Sequence, residues 1–295
     1  IPHLLKTKGT LPGLRALITS YGIPDTILRI NEFGGKDKIN VNDWDHWQRE
    51  FNYAFSTTGS NFISSSWDCH DHFPPAFGGG ANGINNQIMF RFKTNGLPTS
   101  NIPRSQSLWH VSGSGFGETA ITLRYEGTAY DSASYSGSIK DPFCEYAYLD
   151  FYPDLVHSSS ISASIYLPFF DGDWWSVAAS RDDSTSKNFT LRAANKLYKG
   201  GDNNTKIGFI SSSIINHSNP IDGWRRKNSI SYFPASSSIL TNYFPFSGSY
   251  QEIRYYAPPI TESVFRDYTM NPHSIEGNTT NSSPSDLTFR ASLGG

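Results

Sequence analysis

The stretch FFDGDWWSVAASRDD, residues 169–183, decides how this chain is read. Its aspartates invite a metal, its paired tryptophans invite a sugar, and its spacing invites architecture. The spacing prevails. Asp171-Gly172 is a turn signal, because glycine takes backbone conformations that other residues resist. Beyond it, Trp174, Ser176 and Ala178 alternate with Trp175, Val177 and Ala179, as the two faces of a strand do. A tryptophan on each face predicts a strand inside a two-layer fold, with one indole in the core and one partly exposed. Arg181-Asp182-Asp183 then opens the next turn.

The same period of two runs outward in both directions. NQIMFRFKT (86–94), SLWHVS (107–112), TAITLRYEG (119–127), YAYLDFYP (146–153) and SISASIYLPFF (160–170) precede the hairpin's second strand. FTLRAANKLY (189–198), TKIGFIS (205–211) and GSYQEIRYY (248–256) follow it. Strands in such succession, without helices between them, predict a mainly β, antiparallel jelly-roll sandwich of two sheets. Composition agrees: aromatics reach 15% and charged residues only 17%, a balance suited to pleated, half-buried surfaces.

Both ends depart from this pattern. In LPGLRALITSYG, Leu14, Leu17, Ile18 and Tyr21 share one helical face, Thr10 can cap it and Pro12 suits its first turn. Gly22 and Pro24 close the helix, and TILRINEF (26–33) reads as a strand ending at Gly34-Gly35. Residues 1–43 are therefore a helix–strand adaptor, whose apolar stripe is an expected assembly interface. Residues 44–268 form the sandwich. It closes with PPITESVFRDYTMNP, where Thr261 is placed as an N-cap and Val264, Phe265 and Tyr268 make an apolar stripe. Residues 269–295 are read as an extension, with LTFRASL a further strand here or in a following segment. Because the chain opens on Ile1 and ends abruptly, it is expected to be part of a longer polypeptide.

Several classes of function drop out. The formal net charge is −2 and Arg225-Arg226-Lys227 is the one basic cluster, so nucleic acid is not an expected partner. No apolar run nears the ~18 residues needed to cross a bilayer as a helix. Cys69 and Cys144 are too few for a disulfide framework and read as buried thiols. The sequons at Asn188, Asn203, Asn216, Asn278 and Asn281 matter only in a secreted eukaryotic chain.

Catalysis finds little support. Glycoside hydrolysis needs two carboxylates about 5–10 Å apart across the sugar. Glu145 and Asp150 are an odd number of positions apart and fall on opposite strand faces, Pro153 interrupts the run from Asp150 to Asp154, and Glu252 stands alone. WDCHDHF (67–73) offers Cys69, His70 and His72, but no second cluster completes a zinc set. Asp182, Asp183 and Asp202 read as solvated turn acids. Trp109, Trp174, Trp175 and Trp224 are the pool for stacking on sugar rings, though each equally suits a core.

Two segments resemble known families. Gly172, Trp174, Val177 and Ala178 match the central hairpin of laminin-G-like members of the concanavalin A-like family, with Trp175 and Ser176 where that hairpin has two histidines. FSGSYQEIRYYAPPITESVFRDY (246–268) is similar to the same family's closing strand and helix. That resemblance also implies that calcium can be held on loop carboxylates and carbonyls, with Asp182, Asp183 and Asp202 as the candidate ligands. In KTKGTLPGLRALITSYGIPDTILRINEFGG (6–35), Lys8-Gly9-Thr10, the helix, Gly22 and Glu32-Phe33 resemble the terminal motif of phage tail protein I. Together these resemblances imply a non-enzymatic structural component of a tailed-phage virion, at the tail or baseplate. They imply oligomeric assembly with other tail proteins and a jelly roll that contacts host-surface glycans. The alternative is a carbohydrate-binding adhesin domain of a bacterial or viral surface protein.

Overall fold

Gly172 turns the chain with φ +79°, and the hairpin forms around it in the computed structural model. The structure describes residues 20–21, 53–57, 61–67, 85–98, 104–112, 118–125, 145–155, 160–182, 185–197, 206–221, 224, 229–234, 242–272 and 286–294. Asp171 Oδ1 accepts from the backbone N–H of Asp173 at 2.9 Å and from Trp175 Nε1 at 3.0 Å. The first aspartate of the opening stretch thus fixes the turn and the indole behind it. Asp182 behaves alike, accepting from Ser180 Oγ at 2.6 Å and Thr190 Oγ1 at 2.5 Å.

The chain separates into two compact units, residues 1–46 and 47–295. In the first, Ser20 is helical and Tyr21 is an exposed turn residue. Leu14, Leu17 and Ile18 lie outside the described residues.

The second unit is a mainly β sandwich of two sheets. One sheet runs β1 (Phe55–Ser56), β13 (Gly248–Tyr256), β3 (Gln87–Thr94), β8 (Trp175–Arg181), β9 (Asn188–Leu197), β10 (Lys206–Asn216). The other runs β2 (Ile63–Ser66), β11 (Ile230–Phe233), β4 (Ser105–Ser112), β5 (Thr119–Arg124), β6 (Ala147–Tyr152), β7 (Ala163–Leu167). These neighbours pair antiparallel. The short β12 (Phe244–Pro245) joins β4 in parallel. β14 (Leu287–Ala291) pairs with β13, so LTFRA belongs to this sandwich.

All nine runs read from alternation are strands. β10 extends five residues beyond its expected end. The short strands β1, β2, β11 and β12 escaped the reading, because two to four residues are too few to display a period.

Alternation sorts the core. Trp175, Val177 and Ala179 of β8 join Ile88, Phe90 and Phe92 of β3 and Phe189, Leu191 and Ala193 of β9 between the sheets. Trp67, Trp109, Trp224 and Tyr255 form an aromatic cluster in it, with ring centroids 5.0–5.2 Å from Trp67 to Trp109, Trp224 and Tyr255 and edge-on angles. Such pairs add about 0.5–1.5 kcal/mol each beyond the area they bury. Trp224 Nε1 donates to the Asn85 carbonyl at 2.7 Å and Tyr250 Oη to that of Leu108 at 2.7 Å, whereas the buried Trp109 Nε1 has no hydrogen-bond partner among the described residues.

The outer face of the first sheet has small residues, Ala178 and Ala194, beneath the helix α1 (Glu262–Met270). They let Phe265 and Tyr268 seat against Met89 and Tyr256. Thr261 holds the N-cap position but makes no side-chain cap bond, its hydroxyl pairing with Ser263 Oγ instead. No helix among the described residues is long and apolar enough to cross a membrane.

Candidate functional site

The second sheet carries no helix from the described residues on its outer face, and β6 shows what that face presents. Within YAYLDFY (146–152), Ala147, Leu149 and Phe151 point into the core and are fully buried. By the period of two, Tyr146, Tyr148, Asp150 and Tyr152 point out.

Register then builds a grid. Arg124, Tyr148 and Tyr166 lie opposite one another across β5, β6 and β7, and Thr122, Asp150 and Ser164 form the next row. The Tyr148 and Tyr166 rings lie 4.6 Å apart at 36°, and Tyr146 lies 5.2 Å from Tyr166. All three are half-buried and together form an aromatic shelf. The Arg124 guanidinium sits 4.7 Å over the Tyr148 ring. Its Nε donates to Asp150 Oδ2 at 2.8 Å, while Ser164 Oγ donates to Asp150 Oδ1 at 2.5 Å.

Asp150 is 1% exposed and Arg124 32%, so the carboxylate is a buried brace and the guanidinium the accessible partner. Burial works against the charge on Arg124, but the hydrogen bond and charge of Asp150 outweigh it and hold the pKa above its ordinary value. Burial raises the pKa of Tyr166. At Tyr152 burial, a hydrogen bond with Tyr243 and the charge of Asp150 raise it strongly. Arg124 therefore stays cationic and these hydroxyls stay protonated at neutral pH. Thr122 Oγ1 is buried beside them without a hydrogen-bond partner.

This arrangement offers partly exposed tyrosine rings, a fixed cation and several hydroxyls, and two of the carboxylates around it are engaged. Asp150 holds Arg124 and Ser164, and Glu118 Oε2 is bonded to His110 Nε2.

The tryptophans named from sequence fare differently. Trp109, Trp175 and Trp224 are at most 1% exposed and belong to the core, which leaves no indole face for a ligand. Trp174 alone of the four is partly exposed, with the Arg91 guanidinium 5.3 Å over its ring. Of the calcium candidates, Asp182 is occupied by two hydroxyls, while Asp183 and Asp202 lie outside the described residues, as do Cys69, His70, His72 and Cys144. No group of three His, Cys, Asp or Glu side chains suited to a metal occurs among the described residues. Glu252, isolated in the sequence, is fully buried against Arg254 and Arg290.

The tyrosine shelf was not foreseen from sequence, where the indoles are the stronger stacking signal. The signal was present in the alternating Tyr146, Tyr148, Asp150 and Tyr152. Pairing with Arg124 and Tyr166 depends on register.

No protein-family description and no curated protein matches this sequence. Similar solved structures include the Ruminococcus gnavus IT-sialidase CBM40, 13% identical, covering 74% of this chain and 96% of its own, with a TM-score of 0.38. Mouse laminin alpha1 chain domains LG4-5 are 13% identical, covering 69% of this chain and 41% of theirs, at 0.38. The enzymatically active domain of bacteriophage CBA120 tailspike protein 2 is 11% identical, covering 83% of this chain and 33% of its own, at 0.42. At these scores the likenesses carry no weight for the site.

Proposed function

We propose that the sandwich is a glycan-binding domain, and that the sugar lies on the outer face of the second sheet. The observation that carries this reading is the Tyr148–Tyr166 shelf braced by Arg124, Asp150 and Ser164. Pyranose rings present apolar C–H faces that stack on aromatic rings, and fixed polar groups at the shelf's edge orient their hydroxyls. Binding without hydrolysis is the chemistry these groups favour. A retaining or inverting mechanism needs a protonated acid and a second free carboxylate, whereas Asp150 and Glu118 are tied to cationic or imidazole partners.

In this reading the chain is a virion component of a tailed phage, at the tail or baseplate and outside the host cell, and residues 1–43 dock the domain into an oligomeric assembly with other tail proteins. The support is the similarity of residues 6–35 to the terminal motif of phage tail protein I, together with an apolar stripe whose expected helix is too short to stand alone. Changing Leu17 and Ile18 to aspartate in the full chain tests the assembly half. Oligomers should be lost on analytical ultracentrifugation while the melting temperature of the sandwich holds. A several-degree fall in melting temperature with oligomers intact would instead make the segment part of the core, and a monomeric wild type would favour the adhesin reading. A glycan array tests the other half, with reducing-sugar release from bound polysaccharide as the outcome that would overturn binding without turnover.

A further inference from the structure

On the other side of the sandwich, a recess of about 210 Å³ opens between the start of α1 and the strands β9 and β10. Arg192, Ser211, Ser212, Ile210, Glu262 and Arg266 line it. Arg192 lies opposite Ser212 in the β9–β10 register and shares the helix-covered face with Ala194.

The charges in this recess do not balance. Glu262 accepts from Arg266 Nε at 2.9 Å, and Arg266 Nη2 lies 2.8 Å from the same oxygen, so this pair satisfies itself one helical turn apart. Arg192 is left over. Its Nη1 is buried from solvent without a hydrogen-bond partner, and it forms no ion pair among the described residues. A buried donor on a charged group, left unsatisfied, is unfavourable, and two guanidiniums against one carboxylate leave one positive charge in excess. Guanidinium donors match the two oxygens of a carboxylate, or two of a sulfate, in a planar fork. The hydroxyl of Ser212, exposed on the neighbouring strand, stands at the rim.

We infer that this recess binds the oxyanion group, carboxylate or sulfate, of a small acidic ligand through Arg192. The site is independent of the tyrosine shelf, since it uses the other sheet and recognises charge rather than ring faces. Arg266 and Glu262 form its wall, and Ile210 packs against the ligand's carbon skeleton.

Calorimetric titration of the full chain with sodium glucuronate, sodium sulfate and glucose tests it. Glucuronate, sulfate or both should bind and glucose should not; which anions bind identifies the group recognised. Arg192→Gln should weaken anion binding at least roughly tenfold, the loss of about 1.4 kcal/mol. Tyr148→Ala/Tyr166→Ala should leave it unchanged, which separates this site from the shelf. Arg192→Met should keep or raise the melting temperature, because it removes an unsatisfied buried nitrogen, whereas an arginine serving only the fold would lower it. The inference is overturned if neither anion binds, if Arg192→Gln binds as well as wild type, or if the tyrosine variant abolishes anion binding.

Discussion

Removing the Glu252 carboxylate should damage this fold more than any other single charge change. Glu252 occupies a bulge in β13, where it and Ile253 together oppose Phe90, and its φ is +48°. Arg254 Nε donates to its Oε2 at 2.7 Å and Arg290 Nη2 to its Oε1 at 2.6 Å. Tyr268 Oη donates to its backbone carbonyl at 2.9 Å, and its ring underlies the Arg254 guanidinium at 4.9 Å. The cluster thus joins β13, β14 and α1. Burial opposes the charge on Arg254, but Tyr268 and Glu252 outweigh that and hold its pKa above the ordinary value.

Breaking such a pair from one side costs about 3–5 kcal/mol, because a buried charge is left behind. Arg254 at 1% exposure suffers the full penalty, whereas Arg290 at 27% regains water. For a domain of this size, where 1 kcal/mol shifts melting by ~2–4 °C, Glu252→Ala should lower it by roughly 6–20 °C. Glu252→Gly, which relieves the left-handed backbone, should recover about 1 kcal/mol of that. Combining Glu252→Ala with Arg254→Met should restore part of the loss, and differential scanning calorimetry of the four-member cycle measures it. A fall below about 2 °C for Glu252→Ala would refute the claim that this charge is buried and paired.

Three further outcomes follow from the same reasoning. Trp224→Phe should destabilise the fold by roughly 1–3 kcal/mol in chemical denaturation, since it loses the bond to Asn85 and ring area, while glycan affinity stays at the wild-type value. Gly248→Ala should destabilise by about 1–3 kcal/mol in chemical denaturation, because its Cβ would stand 2.4 Å from the Lys93 carbonyl oxygen, a backbone atom that cannot swing away. Burial raises the pKa of Asp171 in the fold, with hydrogen bonds from Asp173 and Trp175 only partly offsetting it. The folded state therefore holds this proton more tightly than the unfolded chain, so its contribution falls as pH rises from the unfolded value through the folded one. Asp171→Asn keeps an acceptor without the charge. Its melting temperature relative to wild type should rise across that window, and a flat difference between about pH 3 and 7 would contradict the assignment.

Most of the fold was legible in the sequence because the longer strands repeat with a period of two and end at turn residues. The 169–183 stretch shows it: a turn at Gly172 and one tryptophan in the core with the other partly exposed follow from spacing, while the choice of Trp175 as the buried one needs the sheet. The bulge at Glu252 was not legible, since an extra residue in one strand looks like ordinary alternation until its partner is known. That hid why a lone glutamate should be buried. The candidate site was half legible. Tyr146, Tyr148, Asp150 and Tyr152 advertise a polar, aromatic face, but Arg124 and Tyr166 reach it only through the pairing of β5, β6 and β7. Tryptophans misled for a physical reason: in a sandwich this rich in aromatics, the largest rings fill the space between the sheets.

The central claim is that the outer face of the second sheet, not an indole, holds a glycan. The direct test is the affinity of the best glycan-array ligand for Tyr148→Ala/Tyr166→Ala beside Trp174→Ala, measured by calorimetry on chains of unchanged melting temperature. Losing two stacking rings should weaken binding by roughly tenfold or more, about 1.4 kcal/mol. Trp174→Ala should bind as wild type does. Full affinity in the tyrosine variant, or its loss in the tryptophan variant, would contradict the account.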